Sequence, residues 1–206
     1  MERQIMWSPW TTPGLEHLHI SLQADEINAD GLILGVTEQK PFRLHYKIQC
    51  DQHWRLRSVH LALLNSPYHS LHLLTDGKGS WTTEGRQDLS ALQGCLDIDI
   101  SDTPFTNTLP IRRLTLATGS SVTLPMVYIT IPELSLEVTE QRYTCLESSS
   151  SGGRYLFESL ENGFAHFTAE LPVDEDGLVL HYPELFKRVE WYDVQKDEGH
   201  TIEPEA

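Results

Sequence analysis

Two acidic and two basic side chains near the middle of the chain form its densest group of chemically useful residues. Asp97 and Asp99 are separated by one residue, and Arg112 and Arg113 follow after a short connection. Two neighbouring carboxyl groups push their pKa values apart, so this pair has the composition of a general acid and base. The carboxylates could instead pair with the guanidinium groups, because buried charges are costly unless they are paired. Three roles therefore stay open for this segment: a structural latch, a ligand contact and catalysis.

The segment that must position these groups begins as a strand. Leu96, Ile98 and Ile100 alternate with the two aspartates, so one face is aliphatic and the other carries both carboxylates. Side chains two residues apart on a strand lie roughly 7 Å apart on one face. Thr103–Pro104 and Leu109–Pro110 then predict two breaks in any regular element, because proline has no backbone N–H. This short, punctuated connection would bring the arginines back toward the carboxylates.

Alternation of apolar and polar residues continues along most of the chain and predicts further strands. The clearest run spans residues 42–50, and the run at 54–59 would form a hairpin with it. Turn residues recur about every ten residues, and no long stretch repeats with the period of a helix. We therefore predict an all-β, antiparallel, single-domain fold over residues 1–206, with little helix. Residues 1–14 would form an N-terminal arm, and residues 193–206 a frayed acidic tail.

The charge balance limits the range of partners. The chain has 15 Lys and Arg residues against 30 Asp and Glu residues, a formal net charge of -15. Nucleic-acid backbones and anionic membrane surfaces would repel such a chain, so neither is expected as a partner. No run approaches the ~18 apolar residues of a membrane-spanning helix, and the N-terminus has no apolar run of signal-peptide length. Three cysteines without a CxxC motif add to the expectation of a cytoplasmic protein with reduced thiols.

The sequence contains few motifs that would indicate other kinds of chemistry. The chain has no phosphate-binding glycine loop, no GxSxG and no HExxH motif, and no cofactor is expected. His17 and His19 have a spacing that occurs in zinc sites, but no cysteine or carboxylate cluster accompanies them, so no metal is expected. Tyrosines on the predicted strands could line a cleft, where they would offer flat apolar faces and hydroxyl groups to sugars or acyl chains.

The central segment also carries a family resemblance. Residues 103–114 read TPFTNTLPIRRL, and they follow GCLDIDI at 94–100 and precede QRY at 141–143 and RY at 154–155. With these runs the chain resembles the bacterial putative glycolipid-binding family, a domain of unknown function, over nearly its whole length. The resemblance implies a spiral β-roll, which is an incomplete barrel similar to periplasmic lipoprotein carriers. It also implies a glycolipid or another amphiphile as ligand, and it brings no catalytic residues with it.

These observations lead to three functional hypotheses and one set of candidate residues. The leading hypothesis is a cytoplasmic, non-enzymatic binding protein that holds an amphiphile on the concave face of its sheet. The first alternative is a hydrolase that acts on a sugar or lipid head group through Asp97 and Asp99. The second alternative is a protein-interaction module without a small ligand. The candidate contacts for the polar head group are Asp97, Asp99, Arg112, Arg113, Gln141, Tyr143 and Tyr155.

Overall fold

A computed structural model describes residues 2–66, 69–160 and 167–190 of the chain. It is 59% strand and 7% helix, which confirms the prediction of an all-β fold with little helix. Within these described residues, one α-helix, α1, spans Thr108–Leu114, and single turns of 3-10 helix span Ser90–Leu92 and Phe105–Asn107. The strands in chain order are β1 (Glu2–Pro9), β2 (Leu15–Leu22), β3 (Glu26–Thr37), β4 (Lys40–Asp51), β5 (Leu56–Leu63), β6 (Ser70–Thr75), β7 (Trp81–Thr83), β8 (Asp97–Ile100), β9 (Ser121–Ile129), β10 (Leu136–Ser149), β11 (Gly152–Ser159), β12 (Thr168–Val173), β13 (His181–Tyr182) and β14 (Phe186–Arg188).

The larger sheet has nine strands in the order β13-β14-β1-β2-β3-β4-β5-β6-β7, and its neighbouring strands are antiparallel. Its longest strands show why the sheet forms. On β4 the side chains of Phe42, Leu44 and Tyr46 are buried, while Arg43 between them faces solvent. The pairing of β4 with β5 confirms the hairpin predicted for residues 42–50 and 54–59.

The N-terminal segment does not form the arm that we expected, because residues 2–9 are β1 in the interior of the large sheet. Ile5 and Trp7 are buried and alternate with more exposed residues, so this segment has an apolar face like its neighbours. The indole N–H of Trp7 donates to the carbonyl oxygen of Val179 at 2.8 Å. The two prolines exclude a helix here, but they do not exclude a strand that ends at Pro9.

The smaller sheet is a curled half-barrel of five strands in the order β12-β11-β10-β9-β8. Its β8 and β9 are parallel, whereas we predicted antiparallel pairing throughout. The reason is the connection between these strands, in which a 3-10 turn and α1 cross from one end of the sheet to the other. Parallel neighbours need such a crossover, whereas a tight hairpin joins only antiparallel ones. The half-barrel agrees with the incomplete barrel that the family resemblance implies.

Two clusters of buried apolar side chains form the core. The larger cluster joins the nine-stranded sheet to β8 and includes Ile98 and Ile100. The smaller cluster lies within the half-barrel and includes Tyr143. Because successive side chains of a strand point to opposite faces, Asp97 and Asp99 point away from the larger cluster, toward α1 and β10. Both aspartates therefore share one face of β8, as the alternation predicted.

The acidic tail that we predicted at residues 193–206 lies outside the described residues. The division into a single domain stays a prediction. Among the helices of residues 2–66, 69–160 and 167–190, none has the length and apolar character needed to cross a membrane.

Candidate functional site

Most of the candidate contacts meet in one enclosed group, which we call the central polar cluster. Asp97 is its most buried acid, with 1% of its surface exposed. Arg113 Nε lies 3.1 Å from Asp97 Oδ1 and 3.2 Å from Oδ2, and Arg113 Nη2 also donates to Oδ2. Burial raises the pKa of Asp97, and the Arg113 guanidinium opposes that shift. The members of the cluster are Asp97, Asp99, Arg113, Gln141 and Tyr143.

Amide and hydroxyl groups, rather than a cation, hold the second aspartate. Gln141 Nε2 donates to Asp99 Oδ2 at 2.6 Å, and Thr106 Oγ1 donates to Oδ1 at 3.2 Å. The Tyr143 hydroxyl continues this network, because it donates to Asn107 Oδ1 at 2.9 Å and lies 3.3 Å from Gln141 Oε1. Burial raises the pKa of Asp99, and its two hydrogen bonds oppose the shift. Both aspartates are therefore held by groups of the protein itself, which is the arrangement expected of a latch.

The two arginines lie on α1, and the helix separates them. We expected Leu109–Pro110 to break any regular element, but proline is tolerated in the first turn of a helix, where its missing N–H has no partner to lose. Consecutive helical residues point about 100° apart around the axis. Arg113 therefore faces Asp97, while Arg112 points to a different part of the molecule.

Arg112 lines a cleft between α1, the β10–β11 turn and the acidic turn that follows β12. Arg112 Nη1 donates to the carbonyl oxygen of Glu175 at 3.3 Å, and Arg112 Cζ lies 5.6 Å from the ring centroid of Trp54. The cleft has a volume of ≈ 170 Å³, and Tyr155 also lines it. We call it the Arg112 cleft. Its other lining residues include Ile111, Leu116 and Val173 among the apolar ones, and Ser148, Ser149 and Asp174 among the polar ones.

The acidic turn beside the cleft is anchored to the large sheet. Asp174 Oδ2 accepts from Arg3 Nη2 at 3.1 Å and from Arg188 Nη1 at 2.8 Å. Asp174 Oδ1 accepts the backbone N–H groups of Asp176 at 3.1 Å and Leu178 at 2.9 Å. A larger open groove, of ≈ 320 Å³, runs along β1 and β14, but the arginines that line it are the same two that Asp174 binds. The smaller Arg112 cleft is thus the better candidate site, with one wall held in place by ion pairs.

Sequence reasoning missed a second polar site, on β2. Glu16 is 2% exposed, and its Oε1 accepts from the Tyr46 hydroxyl at 2.5 Å and from Thr103 Oγ1 at 2.7 Å. Burial raises the pKa of Glu16 to about 8. The alternation of residues contained the signal, because Glu16 lies on the same face of β2 as the buried Leu18 and Ile20.

In the described ranges, no group of three or more His, Cys, Asp and Glu side chains is arranged so that it could hold a metal ion. The two histidines with zinc-like spacing face neighbours on β1 instead. His17 Nε2 lies 3.3 Å from Gln4 Oε1, and His19 Nε2 lies 3.7 Å from Glu2 Oε2.

Two comparisons with known proteins found a match. The sequence model of the family described as "Putative glycolipid-binding" matches residues 4–188. The chain is also similar to the crystal structure of a DUF1089 family protein from Pseudomonas aeruginosa, with 40% sequence identity and a TM-score of 0.74. That alignment covers 87% of this chain and 95% of the other. No curated protein sequence matches the chain at a significant level. The matched range includes the central polar cluster, the Arg112 cleft and Glu16.

Proposed function

Because the chain belongs to the putative glycolipid-binding family, we propose that it is a non-catalytic binding protein that holds the head group of an uncharged amphiphile in the Arg112 cleft. The observation that carries the proposal is the position of Arg112 and Tyr155. Both candidate contacts line the Arg112 cleft, and there they meet both polar and apolar side chains.

The groups that line the cleft suit a sugar or a similar neutral head group. Arg112 brings a guanidinium group to the cleft wall, where its Nη1 makes one long hydrogen bond of 3.3 Å to the Glu175 carbonyl oxygen. Ser148 adds a hydroxyl group, while the Ser149 hydroxyl donates to the Gly152 carbonyl oxygen at 3.0 Å. Tyr155, which is 6% exposed, contributes a mostly buried ring to the wall. The formal net charge of -15 favours an uncharged head group over an anionic one.

The size of the cleft sets the part of the ligand that it can enclose. Pockets for drug-sized ligands measure about 300–1,000 Å³, whereas this one measures ≈ 170 Å³. The cleft therefore takes the head group alone, and the apolar tail of the ligand lies beyond it. The hypothesis from the sequence was a ligand on the concave face of the sheet. The present proposal confines its head group to the cleft at the end of the half-barrel.

The central polar cluster has a structural role in this proposal. Arg113 and Gln141 already occupy the carboxylates of Asp97 and Asp99. The Arg112 cleft and the groove along β1 and β14 are lined by other residues. The geometry thus offers no support for a hydrolase that uses this pair of aspartates. No observation favours a protein-interaction module over the binding protein, and that alternative stays a hypothesis.

We also keep the cytoplasmic location as a proposal. Cys50, Cys95 and Cys145 are free and buried, which is the state of thiols in a reducing compartment. Fractionation of the host cells would test it, and recovery of the protein outside the cytoplasm would contradict it.

Binding of n-octyl β-D-glucoside below its critical micelle concentration tests the function. The wild type is expected to bind it saturably, and Arg112→Gln is expected to bind about tenfold more weakly, because a hydrogen bond to a charged donor contributes ~1.5–3 kcal/mol. Arg142→Gln is the matched control, since Arg142 Nε and Nη2 donate to Glu158 at 2.6 and 2.5 Å, away from the cleft.

Two results would reject the proposal: no saturable binding by the wild type, or equal losses in Arg112→Gln and Arg142→Gln. If the wild type binds the probe, native mass spectrometry of the protein purified from its own host would identify the natural head group from the mass of the bound molecule.

A further inference from the structure

A small cavity beside Glu16 is the strongest feature that the proposed function leaves unused. It lies against β1, β2 and β3 and has a volume of ≈ 20 Å³. A cavity needs a volume of about 10–15 Å³ to hold one water molecule, so there is room here for a single oxygen-sized group. Apart from Glu16 and Asp102 its walls are mainly apolar, with Trp7, Ile33 and Phe186 among them.

The Glu16 carboxyl group is held in a fixed orientation. Tyr46 reaches it by lying over Gly31 of β3, where a Cβ atom would come within 2.1 Å of Tyr46 Cζ. The Tyr46 ring in turn stacks on Phe105, with ring centroids 6.3 Å apart and planes 15° apart. Thr103 Oγ1 accepts the Phe105 N–H at 3.0 Å, which leaves its hydroxyl hydrogen for Glu16. Two donors from separate segments, Tyr46 of β4 and Thr103, thus hold Oε1 of this carboxyl group.

The other oxygen of Glu16 is buried and unused, because Oε2 makes no hydrogen bond to the described residues. Two donors occupy Oε1, so the proton of the neutral acid lies on Oε2. Burial is the main reason that the pKa of Glu16 rises to about 8. The groups that act on it are Tyr46 and Thr103, which oppose the shift, and the acid Asp102, which adds to it. Burial also raises the pKa of Asp102, which accepts from Ser101 Oγ at 2.7 Å.

We propose that Glu16 forms a second binding site, in which its protonated carboxyl group donates a hydrogen bond to the hydroxyl or carbonyl oxygen of an uncharged, mainly apolar ligand. The oxygen occupies the cavity, and the rest of the ligand lies outside on the apolar surface at its mouth, where Leu34 is 42% exposed. An anionic oxygen is disfavoured by Asp102 in the cavity wall and by the negative charge of the whole protein.

This site shares no lining residue with the Arg112 cleft, so the two proposals can fail separately. The probe is 1-octanol, and the readout is the indole N–H resonance of Trp7, whose side chain lines the cavity. At pH 6 octanol is expected to shift this resonance saturably, and octanoate and 1-chlorooctane at least tenfold more weakly. Arg112→Gln is expected to bind octanol like the wild type.

The pH dependence tests the role of the carboxyl proton. If only the protonated form binds, the apparent Kd of octanol increases about tenfold per pH unit above the Glu16 pKa. Glu16→Gln keeps an N–H donor at the cavity and is expected to bind octanol equally at pH 6 and pH 10. Glu38→Gln, at an exposed turn position, is expected to keep the pH dependence of the wild type.

Two outcomes would overturn the inference. If octanol leaves the Trp7 resonance unchanged at pH 6, the cavity takes water only. If Glu16→Gln shows the same pH dependence as the wild type, another group binds the probe.

Discussion

Replacement of Glu16 by glutamine is expected to stabilise the protein at neutral pH, although it changes a buried residue. Glutamine has the same size, and its Oε1 can still accept from Tyr46 and Thr103. The substitution removes a proton equilibrium, since the pKa of Glu16 rises from its ordinary 4.5 to about 8 in the folded protein. A carboxyl group with a raised pKa stabilises the fold fully below pH 4.5, and this contribution is lost as the pH rises to about 8.

The size of the expected stability difference follows from the interval between the unfolded and folded pKa values of Glu16. Each pH unit between the two pKa values lowers the unfolding free energy of the wild type by about 1.4 kcal/mol relative to a group that does not titrate. Relative to Glu16→Gln, the wild type is expected to be about 3 kcal/mol less stable at pH 7 and about 5 kcal/mol less stable at pH 9. Imperfect hydrogen bonding by the amide would offset about 1 kcal/mol of this gain at every pH.

Urea unfolding at pH 5, 7 and 9 is the assay, with Glu38→Gln as the control that removes one exposed carboxylate. The difference between Glu16→Gln and the wild type should grow with pH, while Glu38→Gln should follow the wild type. Parallel curves for all three proteins would refute the neutral, buried carboxyl group.

Three further predictions concern packing, pairing and thiol reactivity. Gly31→Ala is expected to lower the thermal midpoint, because its Cβ would lie 2.1 Å from Tyr46 Cζ and overpacking costs ~1–3 kcal/mol. Arg113→Met is expected to lower the unfolding free energy by ~3–5 kcal/mol, because it leaves Asp97 as a buried charge without a partner. The three cysteines are expected to resist a thiol reagent until the protein unfolds, because all are buried and burial raises the pKa of Cys95 to about 11.

Each of these predictions has its own control. At Gly85 a Cβ atom would meet only Thr83 Oγ1, at 3.7 Å, so Gly85→Ala should be nearly neutral, and an equal loss at both glycines would contradict the packing argument. Adding Asp97→Asn to Arg113→Met should restore part of the stability, and no recovery would mean that the unpaired charge is not the cause. For the thiols, labelling at the same rate with and without urea would be the contrary result.

The local pattern of the sequence predicted the strands because a period of two residues is a local property. Phe42, Leu44 and Tyr46 predicted the buried face of β4 in this way, and the two aspartates of β8 do share a face. The same pattern could not predict the parallel pairing of β8 with β9. That pairing depends on α1, which spans only Thr108–Leu114, too short for a helical period to be recognised, and includes a proline.

The candidate site was predicted as one group and is divided in the structure. The sequence indicated that aspartates and arginines would pair, but it could not say that the helix turns Arg113 toward Asp97 and Arg112 toward the cleft. Tyr155 joins Arg112 only because the half-barrel curls and brings β11 beside α1. A contact between distant segments depends on the curvature of a sheet, which no short window of sequence contains.

By itself, the sequence determined the strand alternation, the strongly acidic charge and the family resemblance, since each is written in residue order or composition. Only the tertiary structure decided which polar groups are buried and what they touch. Glu16 shows this best, because its partners Tyr46 and Thr103 lie 30 and 87 residues away along the chain. The pKa of a carboxyl group depends on the water and the donors around it, and those are known only once distant strands have packed together.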